Sequence, residues 1–203
     1  MRVLVLLLAL LIPSLAVAAD RDVGQIVIGV DDVLRGRFVE LRHLNGFNGP
    51  MKSEGHFVVA PKQGLIWELE KPFPTTTVIT PAGLAQSING VNVMNLPSQK
   101  IPFMLHLYDT LGGALTGNWT ALETDFIVTR GGDAQNWQMT LVPRTDNPAM
   151  PFSSINVSGH RFVDHVVLLK SDGDSDELTF LNESVSSTPP TASEKRVFSS
   201  LRP

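Results

Sequence analysis

The chain has no cysteine among its 203 residues, so thiolate nucleophiles, disulfides and cysteine-ligated metals are excluded at once. Its five histidines, His43, His56, His106, His160 and His165, are the next candidates for chemistry. None makes an i, i+4 pair on a helix. His160 and His165 lie five apart on predicted strands and face opposite sides, whereas a metal site needs ligands that converge. They read as surface or strand-edge residues. Asp172, Asp174 and Asp176 open like a calcium loop, but position 177 is glutamate where that loop requires glycine, and no bidentate acid follows at the right distance. A solvated hairpin turn is the better reading. Ser158-Gly159-His160 lacks the flanking glycines of a nucleophile elbow, and no glycine-rich loop could cradle a phosphate. Glu68 and Glu70 stand two apart on one strand face, which on a wet face is ordinary solvation rather than a carboxylate dyad. The chain reads as a non-enzyme that needs no metal and no cofactor.

With catalysis set aside, the weight falls on the elements that would position an apolar surface. Ser53–Leu84 reads as three strands joined by Pro/Gly turns. In it Phe57 and Val59 alternate against Val58, and Leu65, Trp67 and Leu69 alternate against Ile66, Glu68 and Glu70. Thr75–Thr80 supplies the β-branched third strand. The pattern predicts a meander with one apolar and one wet face. Before it, Asp22–Arg35 reads as a short helix or turn and Leu34–Leu44 as a strand carrying Phe38. After it, Asn89-Gly90 marks a two-residue hairpin within Leu84–Val93.

Between Pro97 and Gly117 the period changes. Ile101, Met104, Leu105, Tyr108, Leu111 and Leu115 fall at helical spacing and predict a helix with an apolar stripe. Short strands then return: Glu123–Arg130 with Phe126, and Asn136–Val142 with Trp137, Met139 and Leu141 on one side. Ser154–Gly159, Phe162–Lys170 and Leu178–Leu181 follow. Residues 186–203 turn Ser/Thr/Pro-rich and read as a loose tail, with a short helix over Lys195–Leu201. Nine to eleven short strands with one good helix make an antiparallel sheet the default fold.

Composition bounds the setting. Met1-Arg2, the apolar run Val3–Ile12 and Ala16-Val17-Ala18 form a secretory signal peptide, too short and wrongly flanked for a membrane span. Residues 1–18 are therefore a leader, 19–185 one domain and 186–203 the tail. The formal net charge of −4 argues against nucleic acid, because the positive charge that displaces phosphate counterions is missing. Export into an oxidising compartment without disulfides points to the bacterial periplasm. The sequons at Asn118, Asn156 and Asn182 are then chance matches.

In their order and spacing these residues resemble the periplasmic outer-membrane lipoprotein carriers, the LolA-like proteins. The resemblance lies in the Phe38 strand, in Ser53-x-Gly55-x-Phe57 before a proline turn, and in Trp67 followed by Pro72. It continues through Thr80–Leu84, Pro102-Phe103-Met104-Leu105, Trp137-x-Met139-x-Leu141-x-Pro143 and the Asp172-Gly173-Asp174 hairpin. It implies a mainly β fold, an unclosed antiparallel β-barrel (a half-barrel) with a helical lid. The cavity would hold acyl chains of a lipoprotein or other lipid-like cargo on its way to the outer membrane. Phe38, Phe57, Val59, Leu65, Trp67 and Leu69 would line it, with Phe126, Trp137, Met139 and Leu141 from later strands and Met104, Leu105, Tyr108 and Leu111 from the lid. The resemblance also implies a monomer working between an inner-membrane exporter and an outer-membrane acceptor. An envelope sensor or interaction module, gripping a lipid-bearing or unfolded partner with the same half-barrel, is the alternative.

Two positions depart from the family's pattern. Ala60-Pro61 stands where the carriers have an arginine before the proline, and Ala85 stands where an aromatic follows the Gly-Leu turn. They imply a specialised paralogue rather than the housekeeping carrier.

Overall fold

Alternation and turn chemistry build one sheet. The computed structural model describes residues 28–101, 120–144 and 152–200, and its eleven strands are all antiparallel. They are β1 (Val33–His43), β2 (Met51–Ala60), β3 (Gly64–Lys71), β4 (Thr75–Thr80), β5 (Gly83–Ile88) and β6 (Val91–Pro97), then β7 (Phe126–Gly132), β8 (Trp137–Pro143), β9 (Ser154–Gly159), β10 (Val163–Leu169) and β11 (Ser175–Ser186). Among the described residues two α-helices, α1 (Thr120–Asp125) and α2 (Ala192–Ser199), accompany them. The sheet order is β6-β5-β4-β3-β2-β1-β11-β10-β9-β8-β7. Two meanders are thus joined through their outermost members in sequence, β1 and β11, while β6 and β7 are the edge strands among the described residues. The fold is an open half-barrel with helices beside it.

Local signals account for most boundaries. Asn89 and Gly90 both take positive φ, 50° and 78°, as a two-residue hairpin of the kind that suits strand twist requires. At the β10–β11 turn Asp172 accepts the N–H of Asp174, and Asp174 accepts the N–H of Asn45. The aspartates expected to be solvated turn residues are therefore backbone acceptors that also tie this turn to the β1–β2 loop. Asp176 pairs with Arg42 and Lys170. Among the described residues no group of His, Asp and Glu is placed to hold a metal.

Three expectations change. Glu123–Arg130 is not a strand throughout, because α1 runs to Asp125 and β7 begins at Phe126. Leu122 on the helix and Phe126 at the start of the strand are both buried in one cluster. Of the two forms expected before the first strand, the described residues take the turn, from Gly29 to Asp32, where the Asp32 N–H reaches the Gly29 carbonyl and Asp32 Oδ2 accepts the Gly29 N–H. The last strand is not Leu178–Leu181 but twelve residues long, extended past a bulge at Asn182 whose φ is 57°. Nor is the stretch after Ser186 loose throughout: α2 docks on the sheet. Thr191 and Glu194 form a reciprocal capping box at its start, and Phe198 is buried against β-strand residues. The predicted helix between Pro97 and Gly117, the leader at 1–18 and the loop at Asp146–Pro151 lie outside the described residues.

Burial divides into three clusters. Phe38, Phe57, Leu34 and Ile28 form the middle of the inner face. Phe126, Trp137, Met139, Leu141, Phe152, Ile155 and Leu122 continue it under β7–β10. Val33, Val58, Ala60, Ile66, Val78 and Ala85 form a second layer on the outer face, closed by Phe198 of α2. The outer face expected to be wet is therefore wet only beyond the reach of that helix.

Candidate functional site

The inner face is built on two reciprocal pairs. Gly36 of β1 stands opposite Phe57 of β2, and Phe38 of β1 stands opposite Gly55 of β2. Gly36 leaves the space that the Phe57 ring fills, whereas Gly55 lets the backbone of β3 at Glu68 and Leu69 approach closely. A Cβ at Gly36 would sit 2.7 Å from the Phe57 ring. Trp67 reaches across β2 and stacks on Phe38, with centroids 3.7 Å apart and planes at 21°. Phe180 of β11 meets Phe57 edge-on at 5.4 Å and Trp67 at 6.2 Å. Trp67 and Phe180 belong to strands three steps apart in the sheet, which is about 14 Å on a flat surface. Their rings meet because the sheet curls towards them. Four aromatic rings thus form one continuous surface inside the curve.

The structure brings together most residues that the sequence singled out. Phe38, Phe57, Val59, Leu65, Trp67 and Leu69 lie in one cluster, as the alternation requires. Phe38 and Phe57 are buried and form its floor, whereas Val59, Leu65, Trp67 and Leu69 are half-buried and present the reachable surface. Phe126, Trp137, Met139 and Leu141 form the separate cluster beneath α1 and Phe152. All four are buried, at 1–3% exposure. Trp137 also donates its indole N–H to the His160 carbonyl at 2.6 Å. Met104, Leu105, Tyr108 and Leu111 lie outside the described residues.

Sequence reasoning passed over Leu178, Phe180 and Val185 of β11, which pack against the same aromatic cluster. Leu178 and Phe180 alternate in sequence and could have been found that way; Val185 falls out of phase because of the bulge at Asn182. The half-buried Val163 packs against both clusters and joins them along the inner face.

The outer face has different chemistry. Between α2 and strands β1, β2, β3 and β11 lies a cavity of about 560 Å³. Arg35 donates from Nε and Nη2 to the two carboxylate oxygens of Glu194, at 2.7 and 2.8 Å. The Arg35 guanidinium first, against some desolvation, together with the Thr191 N–H, pulls the Glu194 carboxyl down to about 2. Arg37 pairs with Glu70, and that guanidinium followed by His56 holds Glu70 below the ordinary carboxylate range. His56 bridges Glu68 at 2.6 Å and Glu70 at 3.1 Å. Glu68 and Glu70 are accordingly members of a charge network rather than free acids. Every cation in this groove has a carboxylate partner, so the groove offers an incoming acyl chain little. Ala60, at the position where arginine was expected, is buried in the outer-face core beside Val58.

No curated protein matches the chain. Among solved structures it is similar to a LolA superfamily protein from Nitrosomonas europaea, at 8% identity and a TM-score of 0.46 over 87% of this chain and 94% of that one. It is also similar to an outer membrane lipoprotein-sorting protein domain from Vibrio parahaemolyticus, at 11% identity and a TM-score of 0.36 over 84% and 92% of the two chains. A chain of the Pseudomonas aeruginosa MucA/MucB complex matches at 12% identity and a TM-score of 0.36, covering 81% of this chain and 56% of that one. The family model described as outer membrane lipoprotein carrier protein LolA-like matches residues 15–164, and on the strength of that match over most of its length the chain belongs to the LolA-like family.

Proposed function

We propose that this protein is a periplasmic carrier that holds the acyl chains of a lipoprotein, or of another lipid-like molecule, against the inner face of its half-barrel and conveys them towards the outer membrane. One observation carries the reading: the aromatic floor of Phe38, Phe57, Trp67 and Phe180, rimmed by half-buried Val59, Leu65 and Leu69. Each methylene removed from water is worth about 0.8 kcal/mol, so a surface of this kind binds alkyl chains without any polar chemistry. Family membership supports the same role. The cargo would pass from an inner-membrane exporter to an outer-membrane acceptor, after cleavage of the leader following Ala18.

The test is mass spectrometry of lipids that copurify from the native periplasm, paired with tryptophan emission on titration with a long-chain acyl ligand. Acyl-bearing molecules and a shift that Trp67→Ala removes are expected. A protein that emerges lipid-free and binds no acyl ligand would overturn the reading.

A second reading, an interaction module, is favoured by β6. This edge strand exposes Val91, Val93 and Met94, and from Pro72 to Gln99 the chain carries no charged residue. Uncharged edges accept an added strand. An extended segment of an unfolded partner is the occupant it fits, and Val93→Lys should abolish such capture while leaving acyl binding intact.

A further inference from the structure

The inner face is not wholly apolar. At the bulge in β11, Asn182 takes a left-handed conformation, and the pairing with β1 skips between Arg35 and Arg37. The extra residue turns Glu183 inward. Its Cγ lies 3.2 Å from where a Cβ of Gly36 would be, the same place that the Phe57 ring crowds. A carboxyl group is therefore set at the border of the aromatic floor.

That carboxyl has no proper partner. Oε1 is closed off from water and accepts no hydrogen bond. The nearby donor is the backbone N–H of Glu183 itself. Arg35 and Arg37, next to it on β1, point to the outer face and are held by Glu194 and Glu70. Burial, and then the charge of Asp164, push the Glu183 carboxyl above the ordinary glutamate range. Asp164 is itself engaged by His160. An unfilled acceptor in a desolvated setting destabilises the empty fold, and such a group is retained where something else supplies the donor.

We infer that Glu183 reads the head group of the cargo: it accepts a hydrogen bond from an N–H donor, an amide or an ammonium, that joins the alkyl chain lying on the aromatic floor. This inference rests on the carrier reading and narrows it. A chain ending in a donor nitrogen would be preferred to the same chain without one.

Two probes isolate the donor from the charge. Dodecylammonium and dodecyltrimethylammonium share chain and charge, but only the first carries N–H. Both would be titrated at pH 7 into the full protein, below micelle formation, with tryptophan emission as readout. The wild type should bind dodecylammonium about tenfold more tightly, the scale of one charge-assisted hydrogen bond. Glu183→Leu should lower affinity for dodecylammonium to the level of the trimethyl compound and leave the latter within about twofold. Glu183→Gln keeps an acceptor and the shape of the side chain, so it should retain a reduced preference; it also serves if the leucine variant fails to fold.

The outcomes separate the two claims. Binding of neither probe would defeat the carrier reading itself. Equal binding of both by the wild type, or a preference that survives in Glu183→Leu, would leave that reading standing and overturn the role of Glu183. A Glu183→Gln variant whose affinities equal the wild type's for the trimethyl compound but show no donor preference would assign recognition to the charge rather than to the acceptor, and would also overturn it.

Discussion

Glu194→Gln should weaken the fold at neutral pH and cost almost nothing in acid. Glu194 does two jobs: it closes the capping box with Thr191 at the start of α2, and it grips Arg35 with both oxygens. A carboxyl brought from its ordinary 4.5 to about 2 would gain roughly 3 kcal/mol if nothing screened it, at about 1.4 kcal/mol for each tenfold preference. The Arg35 side chain is 28% exposed and the groove beside it is open, so water reduces the figure to about 1–2 kcal/mol. The sign follows from the direction of the shift. The folded state holds the carboxylate more strongly than the unfolded chain does, so the contribution is complete above the unfolded value and disappears as pH falls from about 4.5 towards about 2. Urea unfolding of wild type and Glu194→Gln at pH 7 and again near pH 2 measures it. Other carboxyls titrate in both proteins and cancel in the difference. A gap of equal size at both pH values would assign the effect to the cap alone and refute the charge argument. Arg35→Met, alone and combined with Glu194→Gln, isolates the pair.

Glu183→Gln should behave in the opposite sense. Because its folded carboxyl is raised, the wild-type group favours the fold in acid and loses that contribution as pH rises through the folded value. The variant should therefore be the more stable of the two at pH 7 and match wild type near pH 4, read from urea midpoints. Phe198→Ala empties the contact that closes the outer-face core; a loss of about 3 kcal/mol is expected, with acyl-ligand affinity unchanged, since the aromatic floor is on the other side. Ala60→Arg would place a charge in that same core and should unfold the protein in a thermal melt, an unpartnered buried charge costing several kcal/mol. Gly55→Ala puts a Cβ 1.9 Å from the Glu68 carbonyl oxygen and should cost roughly 2–3 kcal/mol, read from urea midpoints.

The inner face was legible because its signal is periodic. Phe57, Val59, Leu65 and Trp67 keep step, and Asn89-Gly90 fixes the phase of the next hairpin. What escaped was whatever broke the period. Asn182 shifts the phase of β11, so Val185 and Glu183 cannot be placed by counting. The outer-face core hides between the inner-face residues: Val58 sits within Phe57–Val59, and Ile66 between Leu65 and Trp67. Those unbroken apolar runs are the signature of a strand covered on both sides, and reading Ile66 with Glu68 and Glu70 missed it. The terminal helix was legible but its docking on the sheet was not, because α2 carries a single buried residue, Phe198, and owes its place to Thr191, Glu194 and a distant arginine. Trp137, Met139 and Leu141 are placed on one face by alternation, which identifies the face of a strand but not what lies over it.

The joining of β1 to β11 at the middle of the sheet has a kinetic side. The strand that a chain emerging from its N-terminus can form first acquires its second neighbour last. Closing the roughly 130 residues between them costs on the order of 4 kcal/mol in loop entropy before any pairing is gained. Until then β1 is an open edge, and Phe38 and Gly36 lie beside an unmade bond. The folding rate should accordingly be slow for the size of the domain. A nascent or clipped chain that stops short of Ser175 would present β1 as a sticky border in the very centre of its own sheet.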